Sequence, residues 1–436
     1  MDAPGHRRPW ERRAAELGRA TRRVRAEWHT GGTRGLSARL LRSTADRLAP
    51  PGDELGIAAA DVAAPRRLWP SRANPGTGPL SIGWVMGPPS AGSGGHTTLF
   101  RLIRGLEEYG HRNVVHIYDR HCPGEVATSR HIIEDHFDAL AARITDAGEL
   151  TRWAHPTFDV LVATSWPTAY VVRNAPIEAV RAYVVQDFEP WFHPAGSAAR
   201  LAEETYRFGF HGICAGRWLS EHLARGYAMA CDHFDLGVDT AVYAPRGRRP
   251  RRDVVFYARP NTPRRGFALG LLALSRLAAR RRDIAIHLFG EELHGLRLPF
   301  PCTDHGVLSP VEIDALFNRC AAGLVLSFTN LSLLPLEMLA TGCVPVVNDA
   351  AHTRAVLDNP SVRYAEPTPE ALAAALEAVV DSPSRAADMR RAAASVHGHG
   401  WNGAVRQVET TLATITGRAT LAAAGSVEHR PLAEVR

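Results

Sequence analysis

Three groups of residues in this 436-residue chain have the types and spacing to handle an anionic, hydroxyl-bearing ligand. The first is the run Phe256-Tyr257-Ala258-Arg259-Pro260-Asn261-Thr262-Pro263-Arg264-Arg265-Gly266-Phe267. Guanidinium groups hold phosphate oxygens in bidentate pairs. Arg259 and Arg265 are therefore candidates to hold a diphosphate and to stabilise its charge as it departs. Arg264 is expected to face solvent, and a solvated basic turn is the alternative reading of the whole run. The second group is Ser327 to Val346, where Glu337 stands on an otherwise apolar stretch. A lone carboxylate there requires a partner, either a sugar hydroxyl or an arginine. Pro335 suits the first turn of a helix, and the backbone N–H groups of Ser332 and Leu333 would point at phosphate. The third group is Gly87-Pro88-Pro89-Ser90-Ala91-Gly92-Ser93-Gly94-Gly95-His96-Thr97-Thr98. Gly94 and Gly95 let the backbone approach a ligand closely, next to a positive helix N-terminus. No Gly-Lys-Ser/Thr follows, and the spacing is not that of a dinucleotide fingerprint. A tight strand-to-helix turn remains the alternative.

These groups need elements to hold them. From residue 80 onward, short apolar runs alternate with longer amphipathic ones. Strands are expected at Ser81–Met86, Asn113–Tyr118, Asp159–Thr164, Ala182–Gln186 and Gly212–Ala215. A second series is expected at Val254–Ala258, Ile284–Phe289, Gly323–Ser327 and Val344–Val347. Helices are expected between them, among them Thr97–Tyr109, Thr128–Leu140, Phe267–Arg280, Pro310–Cys320, Leu334–Ala340 and Pro369–Asp381. Such alternation predicts βαβ units and parallel sheets. The expected organisation is a basic helical extension and linker over 1–78 and a Rossmann-like domain over 79–245. A second Rossmann-like domain follows over 246–398, with a C-terminal helix and tail over 399–436. Ligands sit beyond the carboxyl ends of such strands, so the cleft between two facing sheets is the expected site. Gln186, Asp187 and Glu189 follow a strand end in the first domain and face that cleft. They would orient hydroxyls or assist proton transfer, with a satisfied loop cluster as the alternative. His96 is a weaker candidate for acceptor contact, as is His193. Trp166 and Trp191 are either sugar-stacking or core residues.

Composition bounds the rest. Hydrophobic residues make up 45% and charged residues 22%, as in an ordinary globular protein. All 51 Lys+Arg residues are arginine, and the net charge of +6 is concentrated in the first 45 positions. That favours an anionic partner and makes the N-terminus a candidate for peripheral membrane contact. The six cysteines are scattered, with no zinc-ligand or disulfide pattern, which predicts a reducing cytoplasm. No apolar run is long enough to cross a bilayer. Nucleic acid is not an expected partner, because the basic residues lack interleaved aromatics in one patch.

The segment around Glu337 is similar to the donor-binding motif of GT-B glycosyltransferases of family four, in which two glutamates flank seven residues. Glu337 matches the second glutamate, and Thr329 stands at the first. The resemblance implies that Arg259 and Arg265 hold the diphosphate and that Glu337 holds the ribose. It makes 79–245 the acceptor domain and 246–398 the donor domain, and places Gly94 and Gly95 on the acceptor-side glycine loop and Gly306 and Val307 on the base-contacting loop. Sugar orientation would then rest on Thr329 and Asn330. The run Tyr183-Val184-Val185-Gln186-Asp187-Phe188-Glu189-Pro190-Trp191-Phe192 further resembles rhamnosyltransferases of the WsaF type. This resemblance implies transfer of rhamnose from dTDP-rhamnose to a glycan or lipid-linked glycan acceptor, and the family-four resemblance implies retaining, metal-independent transfer, with departing phosphate accepting the acceptor's proton. No cofactor is expected beyond the nucleotide-sugar co-substrate. A nucleotide-sugar epimerase of the same fold and a catalytically silent scaffold are the alternatives.

Overall fold

The computed structural model describes residues 55–421 apart from 64–72, 74, 123, 125, 138, 152–156, 248–250 and 294. The basic helices expected within 1–50 and the tail beyond 421 lie outside the described residues, as does most of the linker before residue 78. The described residues from 57 onward form one compact unit. No helix among the described residues is long and apolar enough to cross a membrane.

The first sheet has seven strands: β1 (Ser81–Met86), β2 (Arg112–Ile117), β3 (Arg143–Asp146), β4 (Val160–Ala163), β5 (Val180–Val185), β6 (His211–Ala215) and β7 (Cys231–Phe234). They run in the order β3-β2-β1-β4-β5-β6-β7, and every pairing is parallel. The connecting helices are α1 (Gly94–Glu108), α2 (Ala127–His136), α3 (Trp166–Asn174), α4 (Ser197–Thr205) and α5 (Arg217–Tyr227). A sheet covered on both faces needs strands that are apolar throughout, and β4 and β5 are buried at every position. Trp84, Leu102, Ile103 and Val162 form the core on one face. Val85, Leu161, Tyr183 and Leu219 form it on the other.

The second sheet repeats the plan with six strands. They are β8 (Asp253–Tyr257), β9 (Ile286–Phe289), β10 (Thr303–Asp304), β11 (Cys320–Val325), β12 (Val344–Asn348) and β13 (Arg363–Ala365), in the order β10-β9-β8-β11-β12-β13. All of these pairings are parallel too. Its helices are α6 (Phe267–Arg280), α7 (Pro310–Phe317), α8 (Leu334–Thr341), α9 (Ala351–Val356), α10 (Pro369–Val380) and α11 (Arg385–Ala394). The two parallel α/β domains expected from the alternation are therefore present. The last described helix, α12 (Trp401–Thr416), returns to the first sheet, where Val405, Val408 and Leu412 join its core. Gly105 on α1 makes that packing close: a Cβ at this position would collide with the Val405 side chain.

In each sheet the strand order reverses beside the first strand, between β1 and β4 and between β8 and β11. A crevice opens at such a switch point, beyond the carboxyl ends of the strands. The segments that leave these four strands are 87–93, 164–165, 258–266 and 326–333.

Candidate active site

A cavity of about 370 Å3 is lined from those four segments: by Gly87, Gly92 and Ser93, by Thr164 and Ser165, by Arg259, Thr262, Arg264 and Arg265, and by Leu331, Ser332 and Leu333. The β5–α4 connection adds Gln186, Asp187, Glu189 and Phe192, and α1 adds Gly94, Gly95, His96, Thr98 and Leu99. Both domains thus contribute to one space. Of the residues expected at the site, Gly94, Gly95, His96, Gln186, Asp187, Glu189, Arg259, Arg265, Ser332 and Leu333 meet there.

The glycines occupy a different local structure from the one expected. Ser93 is the N-cap of α1, its hydroxyl accepting from the His96 N–H at 3.4 Å, so Gly94 and Gly95 form the first helical turn. A Cβ on Gly95 would stand in ordinary contact with the Gln186 amide, 3.6 Å from its Nε2, so α1 and the β5–α4 connection meet at this glycine. His96 Nδ1 lies 2.9 Å from the Ser93 hydroxyl. Burial holds the imidazole below its usual range, so it is neutral at physiological pH.

The arginines converge. Arg259 pairs with Glu291 at 2.7 Å. Arg265 Nη1 donates to the Ser327 hydroxyl at 2.8 Å and to the Asn330 carbonyl at 3.2 Å. Arg264, expected in solvent, instead lines the cavity. Its guanidinium lies 3.9 Å from the Phe192 ring centroid and 3.8 Å from Asp187 Oδ2. The reason is local: residues Pro263–Arg265 form a single 3-10 turn, closed by Gly266 at φ 62°. That turn brings the two adjacent arginines to the cleft together. Three guanidiniums on one wall are a binding surface for a diphosphate.

The first domain contributes two buried carboxyls. Glu189 accepts from the Tyr183 hydroxyl at 2.6 Å and the Trp166 N–H at 2.7 Å, and burial pushes it up to about 7. Asp187 is also raised by burial, against the opposing pull of Arg265 and of its hydrogen bonds. Asp187 accepts from the Thr329 hydroxyl and from the Asn330 N–H, each at 2.7 Å. Asn330 Nδ2 donates to the carbonyls of Gln186 at 2.8 Å and Ala215 at 2.9 Å. These bonds join the two domains directly. Thr329 and Asn330 are each 1% exposed, so their polar groups serve this bridge and they do not line the cavity.

Three more expected residues stand apart from the lining. The carbonyl of Gly306, a residue at φ 60°, accepts from the Gly290 N–H at 2.8 Å. Val307 is exposed and lies opposite Gly92, 3.5 Å from where a Cβ on that glycine would stand. Glu337 sits one turn into α8, half-buried, with the Tyr243 hydroxyl as a hydrogen-bond partner and Arg101 nearby, and burial pushes it up to about 7. Trp166 is 4% exposed and is a core residue. Among the described residues, no group of three or more His, Cys, Asp or Glu side chains is arranged to hold a metal ion.

Sequence reasoning missed Thr164, Ser165, Thr262 and Phe192 as lining residues. The strand-end rule that selected Gln186 and Asp187 applies equally to Thr164 and Ser165, which directly follow β4.

Comparison with known proteins fits this geometry. Residues 252–377 match the family described as WsaF, C-terminal domain. The O-antigen biosynthesis protein RfbC of Myxococcus xanthus is 38% identical over 265 residues, which is 58% of this chain and 20% of that protein. The chain thus spans about a fifth of that relative's length. Among solved structures, Anabaena HepE in complex with UDP and glucose aligns with a TM-score of 0.61 at 14% identity, covering 77% of this chain and 100% of that one. Sucrose-phosphate synthase from Thermosynechococcus elongatus aligns with a TM-score of 0.57 at 13% identity, covering 77% and 99%. This chain therefore has the two-domain GT-B architecture, with a second domain similar to the WsaF C-terminal domain.

Proposed function

We propose that the protein is a glycosyltransferase of polysaccharide or O-antigen synthesis, moving a sugar from a nucleotide donor to a glycan acceptor. The observation that carries this reading is the meeting of Arg259, Arg264 and Arg265 with the buried carboxyls of the opposite domain in one cavity. The guanidiniums hold the donor diphosphate and stabilise the charge that grows on it as the sugar departs. Glu337, half-buried near the start of α8, is the ribose partner, and Gly306 with Val307 borders the base. Gln186 and Glu189 face the acceptor with His96. The favoured donor is dTDP-rhamnose, with transfer by retention and phosphate taking the acceptor's proton. The donor rests on the resemblance of the run over 183–192 to rhamnosyltransferases of the WsaF type, and retention on the resemblance of the Glu337 segment to family-four glycosyltransferases.

The test is Arg265→Ala in a donor-turnover assay. Loss of one charge-stabilising donor of this kind costs roughly 100- to 1000-fold in kcat. Full turnover by the variant would remove the proposed role. Incubation of donor without acceptor, with the products searched for an isomer, separates transfer from epimerisation.

A further inference from the structure

Beside the cavity, the side chains form an aromatic surface that the reaction as described does not use. Trp191 is 46% exposed, the one tryptophan among the exposed large apolar side chains of the described residues. Leaving an indole half in water forgoes part of the free energy its burial would give. Its position is rigid: Phe188 packs against it edge-on at 5.0 Å, and Trp218 on α5 lies 5.9 Å away, tilted by 35°. Trp218 is itself stacked on His222 at 5.1 Å. His352, from α9 of the second domain, completes the surface at 6.2 Å from Trp191 and 5.6 Å from Trp218.

We propose that Trp191, Trp218 and His352 form a saccharide subsite that takes a ring of the acceptor glycan beyond the ring that enters the cavity. This rests on the glycosyltransferase reading above and extends it to the acceptor's length. Continuity with the cavity argues for a sugar chain as the occupant. Glu189 and Phe192 line the cavity, and Trp191 stands between them on the same short turn (Glu189–Phe192) but faces outward. A chain leaving the cavity past that turn meets the indole. The negative face of an aromatic ring attracts the weakly positive C–H groups on the flat side of a pyranose, and a buttressed ring loses little conformational entropy on binding. A lipid surface is a poorer fit. It requires a wide apolar area, whereas α5 beside Trp218 carries exposed Arg217 and the Glu221–Arg225 ion pair.

The experiment uses the full chain and oligosaccharides released by mild acid from the surface polysaccharide of the source cells, fractionated by length. Affinity is read by isothermal titration without donor, so it does not depend on turnover. The wild type is expected to bind longer fragments about tenfold tighter than single residues, equivalent to about 1.4 kcal/mol. Trp191→Ala is expected to lose that length-dependent gain, and Trp191→Phe to keep most of it. The thermal shift given by nucleotide sugars, measured in parallel, reports on folding and on the donor site. Length-independent affinity in the wild type, or an unchanged length dependence in Trp191→Ala, overturns the subsite. So does a variant that keeps its glycan affinity but loses binding to phosphatidylglycerol vesicles, since the surface would then be a membrane contact. Absence of any nucleotide-sugar shift in the wild type would count against the proposed function and leave the glycan titration standing on its own.

Discussion

Thr329 occupies the position where the similar donor-binding motif carries its first glutamate, and the structure gives a physical reason for the exchange. The Thr329 hydroxyl donates to Asp187 Oδ2 at 2.7 Å, and Asp187 is 7% exposed. A glutamate in its place would set a second carboxylate against a buried one. Two like charges about 4 Å apart repel by about 4 kcal/mol at an effective dielectric constant near 20. The variant would also lose a hydrogen bond to a charged acceptor, about 1.5–3 kcal/mol. Part of the repulsion is relieved by protonating one carboxyl, and Asp187 is already raised by burial. The expected net effect of Thr329→Glu is therefore a loss of about 3 kcal/mol of stability at pH 8 and a smaller loss at pH 5. The assay is urea unfolding at both pH values, together with the exchanged pair Asp187→Thr/Thr329→Glu. The exchange restores one carboxylate and one hydroxyl across the domains and should recover most of the loss. A Thr329→Glu variant as stable as the wild type at pH 8, or an exchanged pair no better than the single variant, would refute the bridge as the reason for threonine.

Other consequences are simpler to state. Glu189 holds its proton to about pH 7 in the fold, whereas the unfolded chain releases it near its ordinary value. The folded state then binds more protons across that window, so stability falls as pH rises through it. Glu189→Gln should remove up to about 3 kcal/mol of that decline between about pH 4.5 and 7, seen as a flatter urea midpoint against pH; an unchanged slope would contradict a buried, raised carboxyl. Gly105→Ala should destabilise by about 1–3 kcal/mol through overpacking, because its Cβ meets Val405 where α12 crosses α1, and an unshifted melting temperature would show that the helices move apart freely. Glu337→Gln should raise the donor KM about tenfold, the weight of one hydrogen bond to a charged group, with kcat less affected. An unchanged KM would leave Tyr243 as the carboxylate's only partner.

The architecture was legible wherever a strand was central. β1, β4, β5, β8, β11 and β12 are apolar runs bounded by turn residues, and each was expected within a few residues of its place. The edge strands β3, β7, β10 and β13 were not expected. Their sequences, Arg-Ile-Thr-Asp, Cys-Asp-His-Phe, Thr-Asp and Arg-Tyr-Ala, are short and partly polar, because an edge is covered on fewer sides. The site was legible at strand ends, where topology alone brings Gln186, Asp187, Arg259 and Arg265 together. Arg264 was misplaced because adjacent residues are expected on opposite sides of an extended chain, and the 3-10 turn of Pro263–Arg265 removes that alternation. The bridge from Asp187 to Thr329 and Asn330 was not legible at all. It spans more than 140 residues of chain, and no local pattern encodes which buried carboxylate a threonine will meet.

Sugar transfer from a nucleotide diphosphate donor in the arginine-lined cavity is tested by incubating the purified chain with dTDP-rhamnose and a length-fractionated surface oligosaccharide, and following both products by mass spectrometry. The oligosaccharide is expected to gain the mass of one deoxyhexose residue while an equal amount of dTDP is released, and both signals are expected to disappear together in Arg265→Ala. Oligosaccharide left unmodified by dTDP-rhamnose and by every other nucleotide sugar tried would contradict transfer by this cavity.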